Sequence, residues 1–405
     1  MTRTVGVLCA LLGLCIAAAP AKVELTLVDG NATGYGTFQS HNQKVLSNRN
    51  GIFMTHNRTR NEPYTAQQWR LSRSTDGGKT FATVYEATHG THPPCIETDE
   101  NDNVYLVRSE FADGHAYLHT FFAADDYAAA KARVTPVPAG AAQKFSMCYD
   151  RGRKQLYYAS YNRFDVIATN GTVRSSGKLF RDGKNAEMQY PILCMDAAGV
   201  LHFAWTTVPF GKMTYRSIHF MHSPDAGATW HNPDGSPLTP PMVADDTGPA
   251  ARVNLDDELD ASNWLSSFRE RNGKGHFLYL STVNPPRQHY VRYDLKTAKR
   301  ELDTQPVFKG ETIALHGLDG FFTASDKTHY CLGHTADQRI GCLASDDNGT
   351  TWRDHALSEP LDGLYALGGC RAVTADGFII GSFTQSPSTG GGSKVYFLRI
   401  ATVAK

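Results

Sequence analysis

Hydrophobic and polar positions alternate in short blocks along most of this chain. A short apolar run, a polar turn and a second apolar run recur, as in PPCIETDENDNVYLVRSE, KFSMCYDRGRKQLYYASYNR and QYPILCMDAAGVLHFAWTT. Such blocks predict antiparallel strands joined by turns, and no stretch shows the longer period of an amphipathic helix. The pattern therefore predicts an all-β protein.

Three related octapeptides interrupt the strand pattern: STDGGKTF at 74–81, SPDAGATW at 223–230 and SDDNGTTW at 345–352. In each, an Asp side chain can accept hydrogen bonds from backbone N–H groups that follow it, and a Gly can take positive φ at little cost. Each octapeptide therefore predicts a hairpin turn that leads into a strand. The predicted turn residues are Ser74, Asp76, Gly78, Thr80, Ser223, Asp225, Gly227, Thr229, Trp230, Ser345, Asp347, Gly349, Thr351 and Trp352.

These octapeptides resemble the Asp-box, or BNR, repeat of sialidases and related β-propellers. In that family the box joins the two outer strands of a blade, on the face away from the active site, so the resemblance implies a structural role. With roughly 40–50 residues per blade, the spacing predicts one propeller of seven four-stranded blades, with six blades as the alternative. The predicted blades span about 38–86, 90–135, 140–183, 186–240, 250–305, 310–356 and 362–403, and VELTLV at 23–28 is expected to pair into the last one.

The first 21 residues have the pattern of a secretory signal peptide. Arg3 precedes the apolar run VGVLCALLGLCIAAA, and APA at 19–21 fits a cleavage site between small residues. No second run is long and apolar enough to span a bilayer. The sequence therefore predicts a propeller domain over residues 22–405, exported as a secreted or periplasmic protein.

Charge and cysteine content narrow the choice of partners. The chain has 40 basic and 40 acidic residues, so its formal net charge is zero, which argues against nucleic acid as a partner. No Cys/His spacing matches a zinc site, and we expect no cofactor, although a structural cation stays open. We also expect a monomer.

Two cysteines flank the turn in THYCLGHTADQRIGCLAS. If that turn centres on Ala336 and Asp337, Cys331 and Cys342 face each other across two strands, close enough for a disulfide. Export to an oxidising compartment permits the bond. The competing hypothesis is two free thiols in the space between blades.

In a propeller, functional residues lie where innermost strands begin and where second strands end. At these positions the sequence places many donors and cations, which suit an anionic, hydroxyl-rich ligand such as an acidic oligo- or polysaccharide. At the starts of innermost strands stand His41, Asn42, Gln43, His92, Gln143, Lys144, Gln189, Tyr190, His316 and Arg371. At the ends of second strands and in the loops that follow stand Arg58, Arg108, Trp205, Arg216 and Arg287.

The fourth predicted blade, AEMQYPILCMDAAGVLHFAWTT followed by MTYRSIHFMHSPDAGATW, resembles the BNR-repeat propellers that include ulvan lyases. The resemblance implies that Tyr190 and Arg216 serve a lyase reaction at a uronate. That reaction needs a base for the C5 proton, neutralisation of the carboxylate and an acid for the leaving oxygen. Tyr190, His92, His41 and Arg216 are the catalytic candidates.

The sequence departs from the ulvan-lyase pattern at one position and leaves two other functions open. His92 matches the first histidine of a pair in those enzymes. The second is expected near residues 109–113, but SEFAD there contains no histidine. Either His41 or His316 takes its place, or the activity differs. A sialidase-type hydrolase is the rival enzyme, although the Phe-Arg-Ile-Pro signature of that family is absent. A glycan-binding propeller without catalysis is the third hypothesis, because Asp-boxes are structural.

Overall fold

The chain is all-β, as its hydrophobic pattern predicts. A computed structural model describes residues 21–59, 67–88, 90, 92–110, 114–245, 248–315, 319–386 and 392–403. Over this part of the chain the only helices are three single turns of 3₁₀ helix, at Ala123–Asp125, Ala129–Lys131 and Asp256–Glu258. The predicted signal peptide lies almost wholly outside the described residues.

The strands follow one another along the whole described chain. In chain order they are β1 (Ala21–Ala32), β2 (Val45–Asn48), β3 (Gly51–Thr59), β4 (Gln67–Ser74), β5 (Ala82–Glu86), β6 (Cys95–Thr98), β7 (Val104–Glu110), β8 (His115–Phe121), β9 (Arg133–Val137), β10 (Phe145–Asp150), β11 (Gln155–Ser160), β12 (Arg163–Ala168), β13 (Val173–Lys178), β14 (Phe180–Asp182), β15 (Ala186–Met195), β16 (Leu201–Pro209), β17 (Ile218–Ser223), β18 (Trp230–His231), β19 (Pro237–Leu238), β20 (Met242–Ala244), β21 (Ala251–Arg252), β22 (Asn263–Arg271), β23 (Lys274–Ser281), β24 (Arg287–Asp294), β25 (Lys299–Thr304), β26 (Val307–Phe308), β27 (Glu311–Thr312), β28 (Phe321–Ala324), β29 (His329–His334), β30 (Ile340–Ser345), β31 (Arg353–Leu357), β32 (Leu364–Gly369), β33 (Phe378–Gln385) and β34 (Ser393–Ala401).

Consecutive strands pair in antiparallel sets. Four neighbours form each of the sets β2–β5, β6–β9, β10–β13, β22–β25 and β28–β31, and β15–β19 form another with β21 beside β17. The last set consists of β32, β33 and β34 with β1 on its outer edge. The sets coincide with the stretches that the turn signals separate in the sequence.

Strand β1 joins the two ends of the described chain. It pairs antiparallel with β34 from Val23, opposite Ile400, to Ala32, opposite Ser393. Its first residues also pair with β31, and Ala32 pairs with Arg58 of β3. The predicted pairing of residues 23–28 into the last set is therefore confirmed.

The core lies between neighbouring sets, face against face. Tyr105 and Val107 of β7 pack in one cluster with Met147 of β10 and Tyr158 of β11, and all four are buried. A sheet that is covered on both faces reads as nearly continuous apolar strands, and the central strands of this chain do so. Each set therefore depends on its neighbours to bury its faces.

Each octapeptide forms a hydrogen-bonded turn between the third and fourth strands of its set. The carboxylate of Asp225 accepts hydrogen bonds from the backbone N–H and hydroxyl of Thr229, at 2.8 and 2.7 Å, and from the hydroxyl of Ser223 at 2.9 Å. Asp76 and Asp347 make the same three bonds. These bonds are the ones that the turn prediction requires.

The box glycines also connect neighbouring sets. Gly227 has φ +87°, and a Cβ there would overlap the ring of Phe164 on β12 of the preceding set. Gly78 faces Phe397 in the same way, and Gly349 faces Tyr290. Glycine is thus needed at this position for two reasons: the backbone has positive φ, and an aromatic ring occupies the space of a Cβ.

The predicted disulfide is wrong, because the register differs from the prediction by one residue. Cys331 pairs with Leu343, and Cys342 pairs with Leu332. A shift of one residue sends a side chain to the opposite face of a sheet. Cys331 accordingly packs with Tyr290, whereas Cys342 packs in a different cluster, and both thiols are free.

Thiol titration of the denatured, unreduced protein tests this register. The described residues contain six cysteines, all of them free. We expect Ellman's reagent to detect six thiols in a protein spanning residues 22–405. A count of four would show one disulfide and contradict the six free thiols, and peptide mapping would then show whether Cys331 and Cys342 form it.

Replacing Gly227 by Ala tests the contact between sets. We expect the free energy of unfolding to fall by roughly 1–3 kcal/mol more than for Gly235→Ala, because the new methyl group displaces the Phe164 ring. Gly235 is a matched control, since it has φ +84° and open space around its missing Cβ. Urea unfolding measures both variants, and equal losses would refute a packing role for Gly227.

Candidate active site

A cavity of about 650 Å³ opens at the strand ends opposite the box turns. In the fourth set, Ser223 of the box pairs with Leu201, whereas Gln189, beside Tyr190, pairs with Thr206. Five residues of strand separate these levels, which is about 17 Å. The residues that line the cavity are Tyr35, Phe38, Gln67, His92, Gln143, Lys144, Tyr161, Glu187, Gln189, Tyr190, Val208, Pro209, Phe210, Gly211, Lys212, Met213, Tyr215, Trp264 and Tyr365.

Tyr190 lies at a bulge of the innermost strand β15. The pairing of β15 with β16 shifts between Gln189 and Ile192, and Tyr190 there has φ 49°. A bulky side chain with positive φ costs of order 1–3 kcal/mol, so the surrounding structure must impose this conformation. Bulges that re-aim a side chain are common beside active sites.

Aromatic and imidazole rings fix the side chain of Tyr190. Tyr215 donates a hydrogen bond to its hydroxyl oxygen at 3.3 Å. The ring of His41 lies 5.3 Å away, edge to face, and that of Phe38 lies 6.5 Å away. Tyr190 is 3% exposed, and this burial raises the pKa of its hydroxyl.

Lys144 places a positive charge beside the Tyr190 ring. Its Nζ lies 4.7 Å from the Tyr190 ring centroid and 4.5 Å from that of Phe38. Both distances are typical of cation–π contacts. Burial lowers the pKa of Lys144 to about 8, so most of the ammonium groups are protonated at neutral pH.

His92 is a neutral imidazole in the same cavity. Burial, and then the charges of Lys144 and Lys44, lower its pKa to about 3. Its ring lies 5.3 Å from that of Phe38, which also touches Tyr190. The cavity therefore combines a protonated phenol, an imidazole that can accept a proton and an ammonium group.

Five of the predicted site residues line the cavity and one supports it from below. The lining includes Tyr190, His92, Gln189, Gln143 and Lys144. His41 lies beneath Tyr190 and is 1% exposed, and burial, with nearby Lys44, holds its pKa well below the ordinary value. The predicted role of His41 is therefore better described as positioning.

Arg216 is not among the residues that line the cavity of Tyr190. It borders an adjoining cavity, and its Nε donates to the carbonyl of Leu259 at 2.9 Å. The residue before it, Tyr215, faces the main cavity instead, because successive residues of an extended chain point to opposite sides.

The other predicted binding residues are engaged elsewhere in the structure. Arg58, Arg108, Arg287 and Arg371 each form an ion pair with a carboxylate, and Gln43 donates to the carbonyl of Ile96. Trp205 packs in the core at 1% exposure. None of these residues belongs to the described cavity lining, which corrects the prediction for them. His316 lies outside the described residues.

The sequence analysis placed Gln143 and Lys144 at the start of an innermost strand, and both line the cavity, but it missed Tyr215, Trp264 and Tyr365. Lys144 directly precedes the innermost strand β10, and Trp264 and Tyr365 are the second residues of β22 and β32. The strand register of β22 and β32 shifts just after these rings, as it does at Tyr190. The available signal was an aromatic residue at the second position of β22 and of β32.

The described residues contain no group of three His, Cys, Asp or Glu side chains placed to hold a metal ion. No helix among them is long and apolar enough to cross a membrane.

Comparison with known proteins relates the chain to one repeat family. Residues 139–304 match the model of a BNR repeat-containing family. No curated protein matches.

Solved structures share the fold at low sequence identity. A PL25 ulvan lyase bound to -[GlcA(1-4)Rha3S]- is 10% identical, with a TM-score of 0.64 over 95% of this chain and 96% of its own. The polysaccharide lyase Uly1 is 11% identical, with a TM-score of 0.58 over 93% of each chain. A protein of unknown function from Dyadobacter fermentans DSM 18053 is 12% identical, with a TM-score of 0.51 over 94% of this chain and 98% of its own.

At such identities the structural likeness concerns the fold alone. The family match over residues 139–304 and the shared fold together confirm the resemblance that the three octapeptides predict, so the chain is similar to BNR repeat-containing proteins over that segment.

Proposed function

We propose that this protein is an exported polysaccharide lyase that cleaves acidic glycans at a uronate by β-elimination. The observation that carries the proposal is the meeting of three groups in one cavity: the protonated phenol of Tyr190, the neutral imidazole of His92 and the ammonium of Lys144. These states match the acid, the base and the carboxylate partner that the reaction needs. Export rests on the pattern of residues 1–21.

We also propose that the antiparallel sets are the blades of a single seven-bladed propeller. The antiparallel sets supply six blades from contiguous chain, and β1 with β32–β34 completes a seventh. In such a ring the starts of the innermost strands β6, β10, β15, β22 and β32 converge at one mouth. That convergence brings residues far apart in sequence, such as His92 and Tyr365, to one cavity.

Each step of the elimination has a residue to carry it. The ammonium of Lys144 pairs with the uronate carboxylate, which makes the C5 proton more acidic. His92 takes that proton, the electrons form the C4–C5 double bond, and the C4–O bond breaks. Tyr190 gives its proton to the departing oxygen, so the products are an unsaturated uronate and a free hydroxyl.

The rival sialidase-type hydrolase is less well supported. That chemistry grips the substrate carboxylate with several arginines, and the described cavity lining contains none. Arg58, Arg287 and Arg371 instead pair with Asp29, Asp257 and Glu97. Tyr161 and Glu187 do share the cavity, but Glu187 accepts a hydrogen bond from Gln189.

Activity assays separate the three hypotheses. The protein spanning residues 22–405 is incubated with a panel of acidic polysaccharides, and the ultraviolet absorbance of an unsaturated uronate is followed. A rise in absorbance supports the lyase, and release of a fluorogenic sialoside product supports the hydrolase. Glycan binding with neither product would favour the non-catalytic propeller and overturn the proposal.

Replacing Tyr190 by Phe tests the acid. We expect kcat to fall by 10²–10⁴-fold, the usual range for loss of a proton-transfer group. Tyr149→Phe is the matched control, since its hydroxyl donates to Glu100 at 2.8 Å near the box face. Full activity in a folded Tyr190→Phe variant would remove Tyr190 from the mechanism.

Arg216, which lies outside the cavity lining, has a different expected effect. Arg216→Ala is expected to raise KM more than it lowers kcat, because Arg216 borders the adjoining cavity. Steady-state kinetics measure both constants, and a fall in kcat as large as that of Tyr190→Phe would return Arg216 to the chemical step.

The pH profile tests Lys144. Its cation is present below a pKa of about 8 and is lost as the pH rises through that value, so kcat/KM should fall on the alkaline side. Arginine does not titrate in this range, so Lys144→Arg should extend activity to higher pH. A Lys144→Arg variant that is active but has an unchanged alkaline limb would assign the limb to another group.

A further inference from the structure

The candidate active site is the middle one of three joined cavities. A second cavity of about 500 Å³ shares Phe38, Trp264 and Tyr365 with it. A third cavity of about 490 Å³ shares Pro209, Phe210 and Lys212 with it. We call these three adjoining cavities the groove; together they offer room for more than a single sugar residue.

The charges along this groove are uneven. Lys144 and Lys212 line the middle cavity, and Lys212 and Arg216 line the third. The described lining of the second cavity contains no lysine or arginine. The middle and third cavities therefore offer cations to an acidic group of the ligand, whereas the described lining of the second cavity offers none.

The polar groups of the second cavity suit hydroxyl groups. Asp319 is 2% exposed and accepts a hydrogen bond from the backbone N–H of Leu367 at 3.1 Å. Its carboxyl lies 3.4 Å from Nε2 of His334. A protonated Asp319 brings no positive charge and an ionised one repels anions, so either form disfavours a sulfate there.

Aromatic rings shape the wall between the middle and second cavities. The ring of Trp264 lies 4.3 Å from that of Tyr215, and the ring of Tyr365 lies 5.8 Å from that of Tyr35. These contacts hold both rings in place before a ligand arrives. Mostly apolar walls with a few placed polar groups are typical of pockets that orient a small ligand.

We propose that the second cavity is a subsite for an uncharged, unsulfated sugar residue next to the uronate. This inference rests on the proposed lyase function and specifies its substrate: an acidic polymer in which the neighbour of the cleaved uronate carries no sulfate. The groove holds residues on both sides of the uronate, so cleavage takes place within the polymer chain.

Two oligosaccharides that differ only by a sulfate on the residue next to the uronate test the subsite. We expect kcat/KM to be at least ~10-fold higher for the unsulfated one, because the sulfate meets no cation in the second cavity. Product lengths should be those of internal cleavage. Equal rates for the two oligosaccharides, or a preference for the sulfated one, would overturn the proposal.

Leu280→Lys places a cation in the second cavity and should reduce or reverse the preference. Leu280 is a half-buried lining residue on β23. Thr297→Lys, in an exposed turn at the other end of the same sheet, is the matched control and should keep the wild-type preference. If Leu280→Lys fails to fold, Gln338→Lys, also half-buried in that lining, replaces it.

Binding to the Tyr190→Phe variant separates failure of the subsite from failure of the lyase function. Calorimetry with the same two oligosaccharides measures the preference without turnover. If wild-type protein cleaves neither oligosaccharide, the lyase function fails, and tighter binding of the unsulfated one still supports the subsite. Equal binding, or binding of neither, overturns it.

Discussion

The pairing of β1 with β34 is the constraint on which the rest of the structure depends. The carboxyl-terminal end of the chain supplies only three strands of its last set, and β1, from the other end of the described chain, supplies the fourth. Without β1, the edge of β34 would expose unpaired backbone groups, and the apolar cluster around Val23, Leu398 and Ile400 would open. The antiparallel pairing of β1 with β34 thus holds both ends of the described chain in one sheet.

The two ends of the stacked strands have different roles: one end carries the box turns and the other carries the candidate active site. At one end, box turns satisfy their own backbone groups, and their glycines receive aromatic rings from the neighbouring set. At the other end, the innermost strands β15, β22 and β32 have bulges near their starts, and strained or buried polar residues such as Tyr190 and Lys144 accumulate. Stability and candidate chemistry are therefore separated by the length of a strand.

Buried cations give the site its electrostatic character. Lys44, Lys144 and Arg269 are all at least nine-tenths buried, and desolvation lowers the pKa of each. A buried cation without a carboxylate is costly, and an anionic substrate relieves part of that cost. The described lining of the second cavity has no lysine or arginine. That cavity therefore suits the uncharged sugar residues that an acidic polymer also contains.

The sequence by itself determined the features that local chemistry encodes. Turn residues fixed the three boxes, alternation fixed the strands, and the starts of strands identified Tyr190 and His92. Tertiary structure alone decided the register at Cys331 and Cys342, where one extra turn residue moves a thiol to the other face. It also decided that Tyr215 rather than Arg216 faces the cavity, and that Lys144, Trp264 and Tyr365 meet there. These outcomes depend on which strands lie side by side. Contacts between segments that are distant in sequence leave no recognisable pattern in the sequence of either segment.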